Sequence, residues 1–430
     1  MRIEPTQNAP NGHQFSHRHL LSRVPEYPPA RRGLPLSGIM VPTHRPAGVG
    51  SGLALATRLA QVQNATLLVI RSGPATRRAL PRVMGQSGSG RIVVINLPAD
   101  FESLLQSWEC NRLTVARLHR SSDLGLKRNL GLLIGRLCGW QSLLFLDDDI
   151  RVTPASGTPM VPGSSDPFLR LDDVLADFEN SPDLHAAGYF QRDFDDNSVV
   201  CHVRRLVGLP QDTFISGGAL AVRCAGPLPM FCAAYNEDWL FFLYLMLNGQ
   251  HAFPSSAVKY VGTVHQDEYY PFTSERARSE ELGDLQAEGL FQLAGEHRGD
   301  LIASATSVKF WNQAIQQRRA MIVQLMRRLN RFAGQLDDEK FVDAQTSLAA
   351  AWSIYRDRAE DLAVQLAEFF EAYLRDQETW ARQLDGLTPD SPAAVLTLEQ
   401  ALERLGLQEH VVWDSAPGSH SSARPRSLTL

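Results

Sequence analysis

Four short apolar runs punctuate the first third of the chain: 38–41 (GIMV), 65–70 (ATLLVI), 91–96 (RIVVIN) and 142–146 (SLLFL). They are continuous rather than alternating, as expected of parallel strands covered on both faces. The first is expected to end at Pro42, and the fourth ends at the acid run Asp147, Asp148, Asp149. Stretches long enough for helices lie between them, among them 52–63 and 124–137. Strand–helix alternation from residue 36 to about 271 implies an α/β sheet, mostly parallel and flanked by helices. From 274 to 385 the period changes. Ile315, Ile322, Leu325, Leu329 and Leu336 recur at helical spacing, as do Phe341, Leu348, Trp352, Tyr355, Leu362, Leu366, Phe369 and Tyr373. Two long amphipathic helices packed together are predicted there, making a helical C-terminal region.

The ends read differently. Residues 1–35 are rich in Pro, Arg, His and Asn without a period, and 411–430 have a similar texture. A disordered leader over 1–35, an α/β domain over 36–273, a helical domain over 274–410 and a disordered tail over 411–430 are therefore expected. A chain of 430 residues with 44% hydrophobic content buries a sizeable core. The net charge of −5 argues against a general nucleic-acid binder. Five cysteines without a C-x-x-C pair argue against a disulfide framework or a structural zinc site. The longest apolar run, 239–247 (WLFFLYLML), is far short of the roughly 20 residues that span a bilayer. The N-terminus lacks a secretory apolar stretch. A cytoplasmic protein without a transmembrane segment is expected. Arg318, Arg319, Arg327, Arg328 and Arg331 read as a solvated helix face. The alternative is weak contact with an anionic membrane surface through the basic helix 314–336.

Candidate chemistry centres on the acid run. An apolar strand delivers three carboxylates at its C-terminal end, where ligands bind in open α/β sheets. Adjacent carboxylates repel, so burying them needs a compensating cation. Hard oxygen ligands suit Mg²⁺ or Mn²⁺. Asp147 and Asp149 share one face of an extended chain, with Asp148 turned away. An acidic turn after a strand is the plain structural alternative. Asn236-Glu237-Asp238 precedes the apolar run 239–247. Acids at a helix start complement its dipole, which is a complete structural account; the functional one makes Asp238 a general base. His265 follows a short β-like run, and an imidazole can complete a Mn²⁺ shell beside carboxylates. Gly217 and Gly218 allow close backbone approach to a ligand, or simply make a tight turn. Lys127 and Arg128, with Asn129, stand in the helix before the acid strand, placed to contact a diphosphate or to face solvent.

Together these motifs resemble the GT-A (Rossmann-like) fold of nucleotide-sugar glycosyltransferases, in particular the inverting polysaccharide-synthase-like group. Val41-Pro42-Thr43-His44-Arg45 is similar to that group's opening strand and base-binding loop. Lys127-Arg128-Asn129-Leu130-Gly131 resembles its helix before the metal motif, and Asp147-Asp148-Asp149 its D-x-D motif. Ser216-Gly217-Gly218 resembles its acceptor-side glycine loop, Asn236-Glu237-Asp238 its E-D base motif, and His265 its later metal-binding histidine. The resemblance spans about residues 37–270. Ile70-Arg71-Ser72-Gly73 departs from it, because that group carries an acid there for the base or ribose.

The resemblance implies transfer of a sugar from a nucleotide diphosphate-sugar to a hydroxyl acceptor, with Asp238 and Glu237 as catalytic residues. Pro42, Thr43, Arg45, Lys127, Asn129, Asp147, Asp148, Gly217 and Gly218 would bind the donor. Asp147, Asp149 and His265 would hold Mn²⁺ or Mg²⁺. Two rivals remain at this stage: a sugar-phosphate nucleotidyltransferase, and a non-catalytic scaffold of the same fold. The former usually has a glycine-rich loop after its first strand, whereas here no glycine follows Pro42 until Gly48.

Overall fold

A computed structural model describes residues 17–28, 33–44, 51–77, 91–98, 101, 109–113, 123–152, 169–192, 198–209, 214–248, 253–266, 273–295, 300–357, 361–388 and 394–414. The strands are β1 (Leu21–Arg23), β2 (Gly38–Thr43), β3 (Thr66–Arg71), β4 (Ile92–Asn96), β5 (Ser142–Leu146), β6 (Ile150–Arg151), β7 (Ala186–Arg192), β8 (Ile215–Arg223), β9 (Ser255–Gln266) and β10 (Val411–Asp414). The helices are α1 (Ser51–Gln63), α2 (Glu109–Arg112), α3 (Leu124–Leu137), α4 (Leu171–Asn180), α5 (Val199–Leu206), α6 (Glu237–Asn248), α7 (Ser274–Gly295), α8 (Leu301–Ala305), α9 (Val308–Arg331), α10 (Asp338–Asp357), α11 (Leu362–Leu387) and α12 (Leu398–Arg404).

The fold is α/β, with a mixed, mostly parallel sheet flanked by helices and a helical C-terminal region. The sheet order is β1-β9-β7-β8-β5-β2-β3-β4-β10, with β6 paired to β9. The four apolar runs become its parallel centre, β4, β3, β2 and β5. Their side chains divide by alternation between two cores: Met40, Leu68 and Phe145 face one, Ile39, Leu67 and Leu144 the other. This is why the runs are continuous. β8 enters antiparallel to β5, setting Ala219 opposite Leu146. The start of β8 therefore lies beside the end of β5, and Asp147 N–H donates to the Gly218 carbonyl at 2.8 Å. Pro42 lies inside β2, but the β2–β5 ladder runs only from Gly38 to Met40, so its missing N–H breaks no bond to β5.

Several expectations are corrected. Residues 17–28 and 33–35, placed in a disordered leader, are folded: β1 pairs with β9, and Leu20, Leu21 and Val24 are buried. At the other end, 411–414 is a strand, antiparallel to β4. The helical period hid one break, so the second predicted long helix is α10 and α11. Nor does the core divide at residue 273, because one apolar cluster runs from Leu20 through Phe145 and Trp239 to Trp311 and Trp380. Among the described residues no helix is long and apolar enough to cross a membrane.

The basic helix face is corrected in part. Arg318 is 1% exposed and bonds Glu281, Asp284 and Glu288 on α7. Arg328 donates to the Val207 carbonyl, and Arg319 lies over the Trp352 ring. Arg327 and Arg331 remain on the exposed side. Only Arg318 of the five is buried, and the expected solvated face holds for Arg327, Arg328 and Arg331, which are exposed.

Candidate active site

The acid run forms a tight turn at the end of β5. Ile150 N–H donates to Asp147 C=O at 3.2 Å, and Gly52 N–H at the start of α1 donates to Asp148 C=O at 3.0 Å. A Cβ on Gly52 would lie 2.1 Å from the Asp147 carbonyl, so the helix start reaches the turn only because residue 52 has no side chain. The side chains of Asp147 and Asp148 meet different partners. Asp148 is buried and accepts from Thr43 Oγ1 at 2.5 Å. Asp149 is also buried. Asp147, 22% exposed, is the acid open to solvent, and it faces Arg128 and the glycines of β8.

Arg128 is the centre of the site. Its guanidinium is 2% exposed, with Nη2 3.2 Å from Asp147 Oδ1 and Nη1 bonded to Glu237 Oε1. It lies 5.6 Å from the Phe231 ring centroid. Burial works against its charge, but Asp147, Glu237 and Asp238 together hold its pKa above the ordinary value. Burial pushes Asp147 up to about 6 despite Arg128, with Asp149 and Asp148 adding to the rise. Burial likewise pushes Glu237 up, against Arg128 and reinforced by Asp238. Three acids around one guanidinium are under-neutralised, and carboxyls with raised values are a mark of functional sites.

Gly217 and Gly218 are not in a loop: both lie within β8. A Cβ on Gly217 would come within 2.6 Å of Arg128 Nη1 and 2.9 Å of Asp238 Cβ. One on Gly218 would come within 3.0 Å of Asp147 Oδ2 and 2.5 Å of Gln191 Nε2. The glycine pair is thus the wall that lets the two acid groups approach. Across it, the apolar run 239–247 forms most of α6 and presents Glu237 and Asp238 at its first turn. Gly217 N–H donates to Asp238 Oδ2 at 2.7 Å and Trp239 N–H to Oδ1 at 2.9 Å. Each oxygen keeps a further acceptor site. Asn236, in the left-handed region at φ 62°, turns the chain into the helix, a conformation Asn tolerates better than most residues.

The remaining predicted residues divide. Lys127 Nζ pairs with Asp123 at 2.9 Å and donates to Thr43 C=O at 3.1 Å, so it braces the end of β2 from beneath. Burial lowers its pKa, with Asp123 opposing. Asn129 exchanges two 2.8 Å bonds with the backbone of Phe231, which makes it a strut rather than a donor contact. Neither residue forms the solvated face that the helix pattern allowed. Pro42 and Thr43 end β2 beside the acid turn; Arg45 lies outside the described residues. His265 is the penultimate residue of β9, in register with Arg151 of β6. Arg71, where the resembling group has an acid, is buried and donates to Asn96 at 2.8 Å.

As a ready three-ligand metal shell the expected trio does not fit. Among the described residues, Asp147, Asp149 and His265 do not bring ligating atoms within 4.8 Å of one another. The group that does is Cys201, Asp284 and Glu288, entirely buried, with Arg318 already on both of its acids. Asp147 alone fits a looser mode, in which one carboxylate and substrate phosphates share a hydrated divalent ion. The sequence allows Arg128 either a diphosphate contact or a solvated helix face, and neither is its pairing with Asp147 and Glu237. The signal was present, since a surplus of acids that must be buried calls for a cation, and a neighbouring basic residue meets that need as well as a metal. No protein-family model matches the chain, and comparison with characterised proteins found no match.

Proposed function

We propose that this site transfers a sugar from a nucleotide diphosphate-sugar to a hydroxyl acceptor, with inversion. The supporting observation is the approach of two acid groups across Gly217 and Gly218: Asp147 at the end of β5, and Glu237 with Asp238 at the start of α6, joined through Arg128. In this reading Asp238 accepts the proton of the acceptor hydroxyl. The freed oxygen attacks the anomeric carbon, and the bond from that carbon to the diphosphate breaks, its electron pair leaving with the nucleoside diphosphate. The two backbone N–H bonds fix the direction of the Asp238 carboxylate. Glu237 and Arg128 hold its helix turn against Asp147. Thr43 and Pro42 wall the donor side. Asp147 is the residue that would hold a divalent ion brought with the donor, and such an ion would supply positive charge against the leaving diphosphate.

Product identity tests this reading. The full chain, incubated with UDP-, GDP- and dTDP-sugars, Mn²⁺ and a panel of hydroxyl acceptors, is expected to release nucleoside diphosphate. Release of pyrophosphate would instead indicate nucleotidyl transfer. No release with any donor would support the scaffold reading.

A further inference from the structure

We propose that Arg128 is a built-in cation that competes with a divalent ion for Asp147, so that the free protein holds such an ion poorly. The argument starts from α3. Its neighbours on either side of Arg128 are committed: Lys127 to Asp123 and Thr43, Asn129 to the backbone of Phe231. The helix is also seated on glycines. A Cβ on Gly125 would meet the Cys232 carbonyl at 2.6 Å, and one on Gly131 would meet Phe145 at 3.3 Å. The helix that carries Arg128 is therefore closely packed on both sides of it.

The side chain itself is held by charge. Nη2 lies 3.2 and 3.4 Å from the two oxygens of Asp147, and Nη1 bonds Glu237. Its buried Nε has no hydrogen-bond acceptor. A guanidinium that leaves one buried donor unmet has been placed by its acids, not by the completeness of its own bonding. Gly217 leaves the space beside the guanidinium open, since a Cβ there would lie 2.6 Å from Nη1. A divalent ion needs an oxygen of Asp147 at about 2.0–2.6 Å. It would then stand against a fixed positive charge in a site poorly screened by water. The inference concerns the protein and the ion alone, so it does not depend on whether a sugar is transferred.

Mn²⁺ binding to the full chain, by calorimetry and by the electron paramagnetic resonance of the free ion, tests it without an activity. In the wild type, Asp147→Asn is expected to leave Mn²⁺ affinity unchanged. Arg128→Gln is expected to raise affinity by roughly tenfold or more, and Asp147→Asn in that background to remove the gain. If Arg128→Gln does not fold, the wild type and Asp147→Asn decide alone. A tenfold loss on Asp147→Asn in the wild-type background would overturn the proposal, as would an Arg128→Gln protein that binds Mn²⁺ no more tightly.

Discussion

Arg128 carries the site because its guanidinium bonds both acid groups, Asp147 and Glu237, and its position depends on an absence beside it. Gly217 has no side chain where one would strike the guanidinium. Gly217→Ala is therefore expected to cost about 1–3 kcal/mol in chemical denaturation, the usual penalty of overpacking. The same change should disturb Asp238, which lies against the same Cβ position. A cost near zero would mean that the acid groups sit further apart than described. A second residue, His17, was hidden in the segment read as disordered. It is fully buried, 4.7 Å from the Phe291 ring centroid and 5.0 Å from that of Phe214, and its Nε2 accepts from Ile215 N–H at 3.0 Å. Burial lowers its pKa from 6.5 to about 3, with His19 adding to the effect. The unfolded chain takes up a proton below pH 6.5 while the folded one does not. Stability contributed by the neutral ring is thus present above pH 6.5 and lost as pH falls toward 3. Between pH 6 and 5 this contributes a slope approaching about 1.4 kcal/mol per pH unit. His17→Gln, which can still accept from Ile215, is expected to flatten that slope in urea titrations.

At the scale of elements, the strands were legible because burial on both faces writes itself as an unbroken apolar run. The expected 142–146 and 124–137 coincide with β5 and α3. Helix ends were harder. The apolar period continues across the junction of α10 and α11, so periodicity alone could not mark the break. β8 was misread because a glycine pair reads as a turn, whereas here glycine serves side-chain approach within a strand. The acids Glu281, Asp284 and Glu288 stand at helical spacing on α7, three and seven positions apart, and all meet Arg318 of α9. Asn236, next to Glu237 and Asp238, donates to Asp284 at 3.0 Å, tying the start of α6 to this cluster. Arg318→Met would leave buried carboxylates without their partner, and a loss of about 3–5 kcal/mol is expected. Arg327→Ala, on the exposed side of the same helix, should fall within about 0.5 kcal/mol of wild type. Equal effects at the two positions would contradict the burial of the cluster.

For the whole molecule, a single apolar cluster joins the sheet to the C-terminal helices, with Trp239 and Phe241 of α6 in the same core as Trp311 and Phe370. Far-ultraviolet circular dichroism and tryptophan fluorescence should therefore report one coincident unfolding transition. Two separated transitions would restore the division expected at residue 273. The sheet centre and the acid positions were readable because local pattern determines them. The pairing of Arg128 was not, because one of its two partners, Glu237 of α6, lies 109 residues further along the chain. The central claim is that Asp238 acts as a base across the glycine wall, and a single comparison tests it most directly: donor-dependent transfer rate in Asp238→Asn against wild type, at matched donor saturation. The account predicts a fall of about 10²–10⁴-fold with donor affinity retained. Transfer at the wild-type rate would contradict it.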